Sequence, residues 1–528
     1  MIARACLILL CSTAVLGWPI EADALQDFIE DQSESMKSFF EAQKNRIESA
    51  FNSSYEEALR MKNSVNDYFD NQTKKISADI NSYVESVKSS GRKVIESWSY
   101  LPIDEPGAQM ENPDLVLSVP AIITSHGYTC ETHTVMSQGY LINVHRIPRG
   151  KNGGKTSQRT VLLQHGLFAS SADWILNGPE KGLAYVLADA GYDVWMSNIR
   201  GNRYAKEHSK LKNSSKSYWN FSWHEIALHD IPAVVDYIIK VKGETEIAYI
   251  GHSMGTTILF AMLTLRPEYN RILKSGIALA PVVFMSDIKS PLKSLAPAAS
   301  NVAYMEMLYG SHEFVPKQSV LGRMTNTCDA ESMDSVVCKN IVFYICGYNE
   351  KQFNKSLLPV FMSNLGTGTS WKTAVHFAQQ VVSGGKFQQF DYGLNNMQVY
   401  NSDTPPEYDL SKITLPITLM WAENDLLSSE KDIMMLHDRV PSTEMYKVPD
   451  PEFNHIDYLW AIDAPTLVNA KVLETLEKSF SKETSKFSIS LQLPRIACPA
   501  RSAAALACRS ACPAASAALL LPPPAPPS

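Results

Sequence analysis

The chain has 528 residues, enough for one large domain with additions, and its 45% hydrophobic content suits a globular protein rather than a disordered one. A formal net charge of −7 leaves no basic footprint for nucleic acid, so no nucleic-acid partner is expected.

Residues 1–17 carry Arg4 ahead of the apolar runs Cys6–Leu10 and Ala14–Leu16 and close on Val15-Leu16-Gly17. This is the pattern of a secretory signal peptide, too short to span a bilayer, and it predicts a secreted or lysosomal destination. Residues 23–100 read as a helical extension. From Ala24 to Trp98 there is no proline and one glycine, Gly91, while apolar residues recur every eleven positions at Leu25, Met36, Ile47, Ala58, Phe69 and Ile80. A second series, Val65, Ile76, Val87 and Trp98, keeps the same interval. Eleven residues make three turns of a nearly straight helix, so the stripe is continuous and needs a partner. A helical bundle or coiled coil formed by self-association suits the mixed charges; contact with a membrane surface or lipid particle, or removal as a propeptide, are the alternatives.

Residues 109–480 read as an α/β domain. Glu131–Val135 and Tyr140–Ile147 flank Ser137-Gln138-Gly139, a hairpin turn. Strand-like runs follow at Val161–Gln164, Asp193–Met196, Ile247–Ile250, Gly276–Leu279, Ile417–Trp421 and Glu444–Val448, alternating with helical stretches such as Trp223–Lys240. That order predicts a mostly parallel sheet with helices on both faces. Between the Gly276 and Ile417 strands, over about 285–405, lies a mainly helical insertion without clear strand signals. Its Met285, Met305, Met307, Phe361 and Met362 fit either an adaptable apolar binding surface or a plain helical core.

Gly251-His252-Ser253-Met254-Gly255 sits directly after the Ile247–Ile250 strand and directly before the helical Thr256–Leu265. Two glycines bracket a serine in this way where a strand turns so tightly into a helix that side chains would collide and the serine hydroxyl is pushed outward, the nucleophile elbow of an α/β-hydrolase. A serine hydroxyl needs a histidine base and a carboxylate behind it, in chain order Ser, acid, His. Asp425 follows the Ile417–Trp421 strand at its carboxyl end, with Glu423 as a rival whose plainer reading is a solvated loop charge. His455 follows the Glu444–Val448 strand, whereas His437 falls on the helical Lys431–Arg439, a surface position. Asp457 is a second rival acid, two residues from the histidine and too near to support it from behind. The oxyanion requires two backbone donors, assigned to Met254 after the serine and Leu167 in His165-Gly166-Leu167-Phe168 after the Val161–Gln164 strand. No metal or cofactor is required by this chemistry.

Several segments together resemble the acid lipases, the family of gastric lipases and lysosomal acid lipase. They are His165–Ser170, Ser197–Arg203, Phe221–Ile226, Gly251–Thr257, Asn424–Leu427, Asn454–Trp460 and Asp463-Ala464-Pro465, in the family's order between about 112 and 476. Carried residue by residue, the family's nucleophile falls on Ser253, its acid on Asp425, its base on His455 and its oxyanion donors on Leu167 and Met254. One departure is Met254, where the family commonly has Gln; the donor is a backbone N–H, so the change should spare catalysis. The resemblance further implies that the insertion forms a cap and lid over the site, and that Cys328 pairs with Cys338 while Cys346 stays buried and free. Residue spacing alone leaves the pairing among these three open, and without a histidine or paired C-x-x-C they are no zinc site.

Sequons at Asn52, Asn71, Asn213, Asn220 and Asn354 are candidate glycosylation sites on a chain entering the secretory pathway. Residues 488–528 form an Ala-, Pro- and Cys-rich tail with no period that survives its prolines, so disorder is expected. The expected function is a serine ester hydrolase acting on triacylglycerol or sterol esters at an interface. The alternatives are a short-chain carboxylesterase and a non-catalytic lipid carrier on a lipase scaffold.

Overall fold

A computed structural model describes residue 114 and residues 117–489 except 244–245, 301, 303–312, 315–344 and 365–366. The signal segment, the eleven-residue stripe, Asn52, Asn71, Met305, Met307, Cys328, Cys338 and all of the Ala/Pro tail beyond its first two residues, which end a helix, lie outside the described residues. The chain divides into two units, Met1–Phe480 and Ser481–Ser528; of the second, residues 481–489 are described, as the end of the Ala470–Ile489 helix.

The hairpin comes first: β1 (Glu131–Ser137) pairs antiparallel with β2 (Tyr140–Ile147), and Ser137 faces Tyr140 across Gln138-Gly139. Both turn residues have positive φ, 49° and 95°, as a two-residue turn between right-twisted strands demands, so β1 runs two residues further than the turn triplet suggested. The remaining strands of the main sheet are β3 (Arg159–Gln164), β4 (Asp193–Met196), β5 (Glu207–His208), β6 (Glu246–His252), β7 (Leu273–Leu279), β10 (Ile417–Trp421) and β11 (Thr443–Lys447). Their order is β1-β2-β4-β3-β6-β7-β10-β11, with β5 on the edge of β2. From β4 onward every pairing is parallel.

Side chains alternate across this sheet with period two, and in its central strands both faces are buried. Val161, Leu163, Val194, Met196, Ile250 and Leu279 join one apolar core. Leu162, Trp195, Tyr249, Ala278, Leu419 and Trp421 join the other. Because neither face of the central strands meets water, they read as continuous apolar runs. The Met254–Leu265 helix follows β6 immediately and is buried along nearly its whole length. The long helix expected over Trp223–Lys240 is broken into Trp223–Glu225, a π turn at Ile226–Asp230, and Ile231–Lys242, whose second residue is Pro232. A proline has no N–H to donate and crowds the carbonyl a turn back, which the wider π turn accommodates.

Between β7 and β10 the described part of the insertion is mainly helical, with Leu292–Ala299 packed on Trp371–Val382. It also holds one short antiparallel pair, β8 (Glu313–Phe314) with β9 (Thr369–Ser370). Two residues per strand are too few to show an alternation. Of the methionines and phenylalanines picked out there, Met285 packs with Val282 and Ile288, and Phe361 stacks on Trp460 at 4.4 Å. For these two the plain core reading holds, because both are buried.

Candidate active site

The site is assembled where β6, β10 and β11 end. Ser253 has φ 53° and ψ −119°, a conformation that costs a non-glycine residue energy and that the surrounding packing must enforce. The two bracketing glycines explain how. A Cβ on Gly251 would lie 2.6 Å from the carbonyl carbon of Gly255, and one on Gly255 would lie 2.3 Å from the carbonyl oxygen of Gln164 at the end of β3. The helix can therefore start against the sheet only with hydrogen in both places.

His455 Nε2 lies 2.8 Å from Ser253 Oγ, and His455 Nδ1 lies 2.9 and 3.0 Å from the two carboxylate oxygens of Asp425. A carboxylate can only accept, so the ring donates Nδ1–H to Asp425 and presents the Nε2 lone pair to the serine hydroxyl. Asp425 is 1% exposed and also accepts backbone N–H bonds from Leu427 and Ser428 at 2.9 and 2.8 Å, which fix its rotamer. Ser253, Asp425 and His455 are thus one hydrogen-bonded line.

The rival positions fall elsewhere. Glu423 is exposed and pairs with Lys447 at 2.8 Å. His437 is half-buried on the Glu430–Arg439 helix and bonds the Thr443 hydroxyl at 2.8 Å, so it is tied to the fold rather than solvated. Asp457 is buried, but its carboxylate accepts from the Asn454 N–H at 2.9 Å and the Asn349 amide at 2.8 Å rather than from His455. Burial, more than any neighbour, raises its pKa to about 7.

Met254 opens its helix, where N–H groups have no intrahelical acceptor and the peptide dipoles sum toward positive. Gly166, the residue before Leu167, lies against the nucleophile, where an added Cβ would come 3.1 Å from Ser253 Cβ. The insertion reaches each of these loops. Thr367 donates its N–H to Phe168 and its hydroxyl to Ala169, the Phe314 ring lies 5.7 Å from that of Phe168, and the Cys346 carbonyl accepts from Leu426 and His455 N–H at 3.3 Å each. Cys346 is half-buried rather than fully buried, and it carries a free thiol that burial pushes up from its ordinary pKa.

Two residues around the site had no signal in the sequence. His252 donates Nε2–H to the backbone carbonyl of His455 at 2.8 Å, and burial lowers its pKa to about 3, so the ring is a fixed neutral donor. Asn349 holds Asp457 from the insertion. The His252 contact spans two loops that meet only in the folded sheet, and no spacing rule connects them. Of the described sequons, Asn213 and Asn220 are exposed, and Asn354 is half-buried with its side-chain oxygen bonded to the Ser356 N–H. No group of three or more His, Cys, Asp or Glu side chains among the described residues is placed to hold a metal ion.

The α/β-hydrolase fold family matches residues 159–461, and the partial α/β-hydrolase lipase region matches residues 119–178. The chain is 36% identical over 373 residues to gastric triacylglycerol lipase of Rattus norvegicus, covering 69% of this chain and 93% of that protein. Gastric triacylglycerol lipase of Bos taurus is 38% identical over 378 residues, 70% of this chain and 94% of its own length. Lipase 1 of Drosophila melanogaster is 38% identical over 368 residues, covering 69% and 81% respectively.

Proposed function

Because the chain belongs to the α/β-hydrolase lipases, the family of the gastric triacylglycerol lipases, we propose that it cleaves long-chain carboxylic esters of lipids, triacylglycerols or sterol esters, at Ser253. The observation that carries this is His455 bridging Asp425 and Ser253 at hydrogen-bond distance on both sides. Ser253 Oγ attacks the ester carbonyl as His455 Nε2 takes its proton, and Asp425 stabilises the imidazolium that forms. The N–H groups of Leu167 and Met254 hold the tetrahedral oxyanion. His455 then protonates the leaving alcohol, and water repeats the sequence on the acyl-enzyme. No step draws on a metal or cofactor.

Long acyl chains and an interfacial substrate are favoured by the insertion, whose residues contact the oxyanion, acid and base loops together. Entry into the secretory pathway, for secretion or delivery to lysosomes, is supported by the signal-like residues 1–17 and the exposed sequons Asn213 and Asn220. Asn52, Asn71 and Asn354 are further proposed glycosylation sites, and Cys328–Cys338 a proposed disulfide. A fluorophosphonate probe followed by peptide mapping tests the chemistry, and the label is expected on Ser253 alone. An acyl-length series tests the substrate: turnover should rise with chain length and jump once the ester forms an emulsion. Equal or better turnover of dissolved acetyl and butyryl esters would make the protein a short-chain carboxylesterase, and no label or turnover at all a lipid carrier.

A further inference from the structure

Behind the loop that carries Leu167 lies a buried polar chain that the reaction as drawn leaves without a task. His165 is fully buried, and its Nδ1 lies 2.8 Å from the carbonyl oxygen of Gly166. That carbonyl belongs to the same peptide unit as the Leu167 N–H. On the other side of the ring, Nε2 lies 3.3 Å from the Asn202 side-chain nitrogen. The orientation of the Asn202 amide follows from its other bonds: its oxygen accepts the Tyr204 N–H at 2.9 Å, and its nitrogen donates to the Asn198 side-chain oxygen at 2.9 Å. Asn198 is oriented in turn, its oxygen accepting the Ser171 N–H at 3.0 Å and its nitrogen donating to the Asn143 carbonyl at 2.7 Å. A donor at Nε2 requires a lone pair there, so the His165 proton sits on Nδ1. Burial lowers the His165 pKa to about 4, which keeps the ring neutral with one donor and one acceptor.

We propose that Asn202 and His165 form a positioning relay for the oxyanion hole: Asn202 fixes the His165 tautomer, and His165 Nδ1–H bonds the Gly166 carbonyl, orienting and polarising the peptide whose N–H is offered to the oxyanion. Hydrogen bonds along such a chain strengthen one another, and the gain is largest when charge develops at the far end. The closeness of Gly166 to Ser253, 3.1 Å from an added Cβ to the serine Cβ, places that peptide beside the reacting atoms. Asn198 grips the other end of the same loop through the Ser171 N–H, so the Ser197–Arg203 segment holds that loop at two points. The proposal rests on the reading of Ser253 as nucleophile and Leu167 as donor.

The test uses the full chain and a soluble ester. Asn202→Ala releases the tautomer, and kcat is expected to fall about tenfold with KM unchanged, by a fraction of the cost of losing a whole oxyanion donor. Affinity for an aryl boronic acid, which forms a tetrahedral adduct on the serine, should fall by the same factor, an effect that general loosening of the fold would not produce selectively. His165→Leu should lose at least as much, whereas His165→Asn, whose amide nitrogen occupies the place of Nδ1, should recover at least a third of wild-type kcat. Histidine-selective isotope labelling of the unmutated chain gives a reading that does not depend on any variant folding: an Nδ1–H tautomer at His165 supports the relay, and an Nε2–H tautomer overturns it. An active wild type with folded Asn202→Ala within twofold of it overturns the relay alone. A wild type that neither turns over the ester nor labels at Ser253 overturns the functional reading and the relay with it.

Discussion

Ser253, Asp425 and His455 divide their labour by burial as much as by identity. The acid is held in a dry pocket by two backbone N–H groups and the serine is half-buried, so the chemistry points from the interior outward. Ser253→Ala should lower turnover by roughly 10⁴ to 10⁶ in a folded protein, and Asp425→Asn should be comparably severe because it leaves the wrong histidine tautomer facing the serine. Glu423→Gln should stay within about twofold, its partner being the exposed Lys447. Steady-state assays on protein matched by circular dichroism separate these cases, and a severe Glu423→Gln with a mild Asp425→Asn would reverse the choice of acid. Asp457 gives a second prediction. Its folded pKa, raised to about 7 from an ordinary 3.8, means the folded state holds a proton that the unfolded chain releases. That contribution is fully present below about pH 4 and is lost as pH rises toward 7. Asp457→Asn keeps an acceptor for the Asn454 and Asn349 donors but cannot ionise, so the fall in stability between pH 4 and 7 should become shallower. Urea unfolding across that range measures it; an unchanged slope would assign the pH dependence to other groups, such as the buried Asp173, also raised to about 7 by burial.

At the scale of elements, the strand-to-helix turn is legible in sequence because its two glycines answer a local steric demand. The approach of Gly255 to the Gln164 carbonyl leaves no room for a methyl group, so Gly255→Ala should destabilise the fold by more than about 2 kcal/mol and abolish labelling of Ser253. Full labelling with an unshifted denaturation midpoint would show that β3 and the helix can separate at no cost. The Phe221–Ile226 segment has a different role from the elbow. Ser222 and Glu225 form a capping box, the Trp223 ring stacks on His376 at 3.8 Å, and His376 bonds the Ser222 hydroxyl at 3.0 Å. These contacts join the sheet domain to the Trp371–Val382 helix of the insertion, which explains an aromatic motif lying outside the catalytic line. Its partners are some 150 positions further along the chain, beyond any local periodicity.

The chain covers 81–94% of the length of the lipases it resembles, and the family matches run over residues 119–461, with a long N-terminal stretch ahead of them. A chain beginning near Gln109 should therefore keep its activity on a small soluble ester, while differing from the full mature chain in oligomeric state or in adsorption to lipid particles. We propose that the apolar positions spaced by eleven drive association, since each Leu, Ile or Phe is worth roughly 1.5 to 3 kcal/mol when fully buried. Sedimentation and liposome flotation of both chains decide the matter: identical behaviour in both would remove any role in association, and an inactive short chain would make the stretch part of the catalytic fold.

The sequence by itself determined the sheet, the turn and the order of the chemistry, because each is written in short-range terms. Apolar runs such as Ile247–Ile250 report burial on both faces, paired glycines report a crowded turn, and Asp425 and His455 each follow a strand at its carboxyl end. Only the tertiary structure decided what those residues touch. That Asp457 answers to Asn349, that His252 donates to the His455 backbone and that Asn202 meets the ring of His165 are contacts between loops drawn together by parallel pairing. Hydrogen bonds are effective only over about 3 Å, and no pattern along the chain encodes a distance that the packed sheet alone brings about.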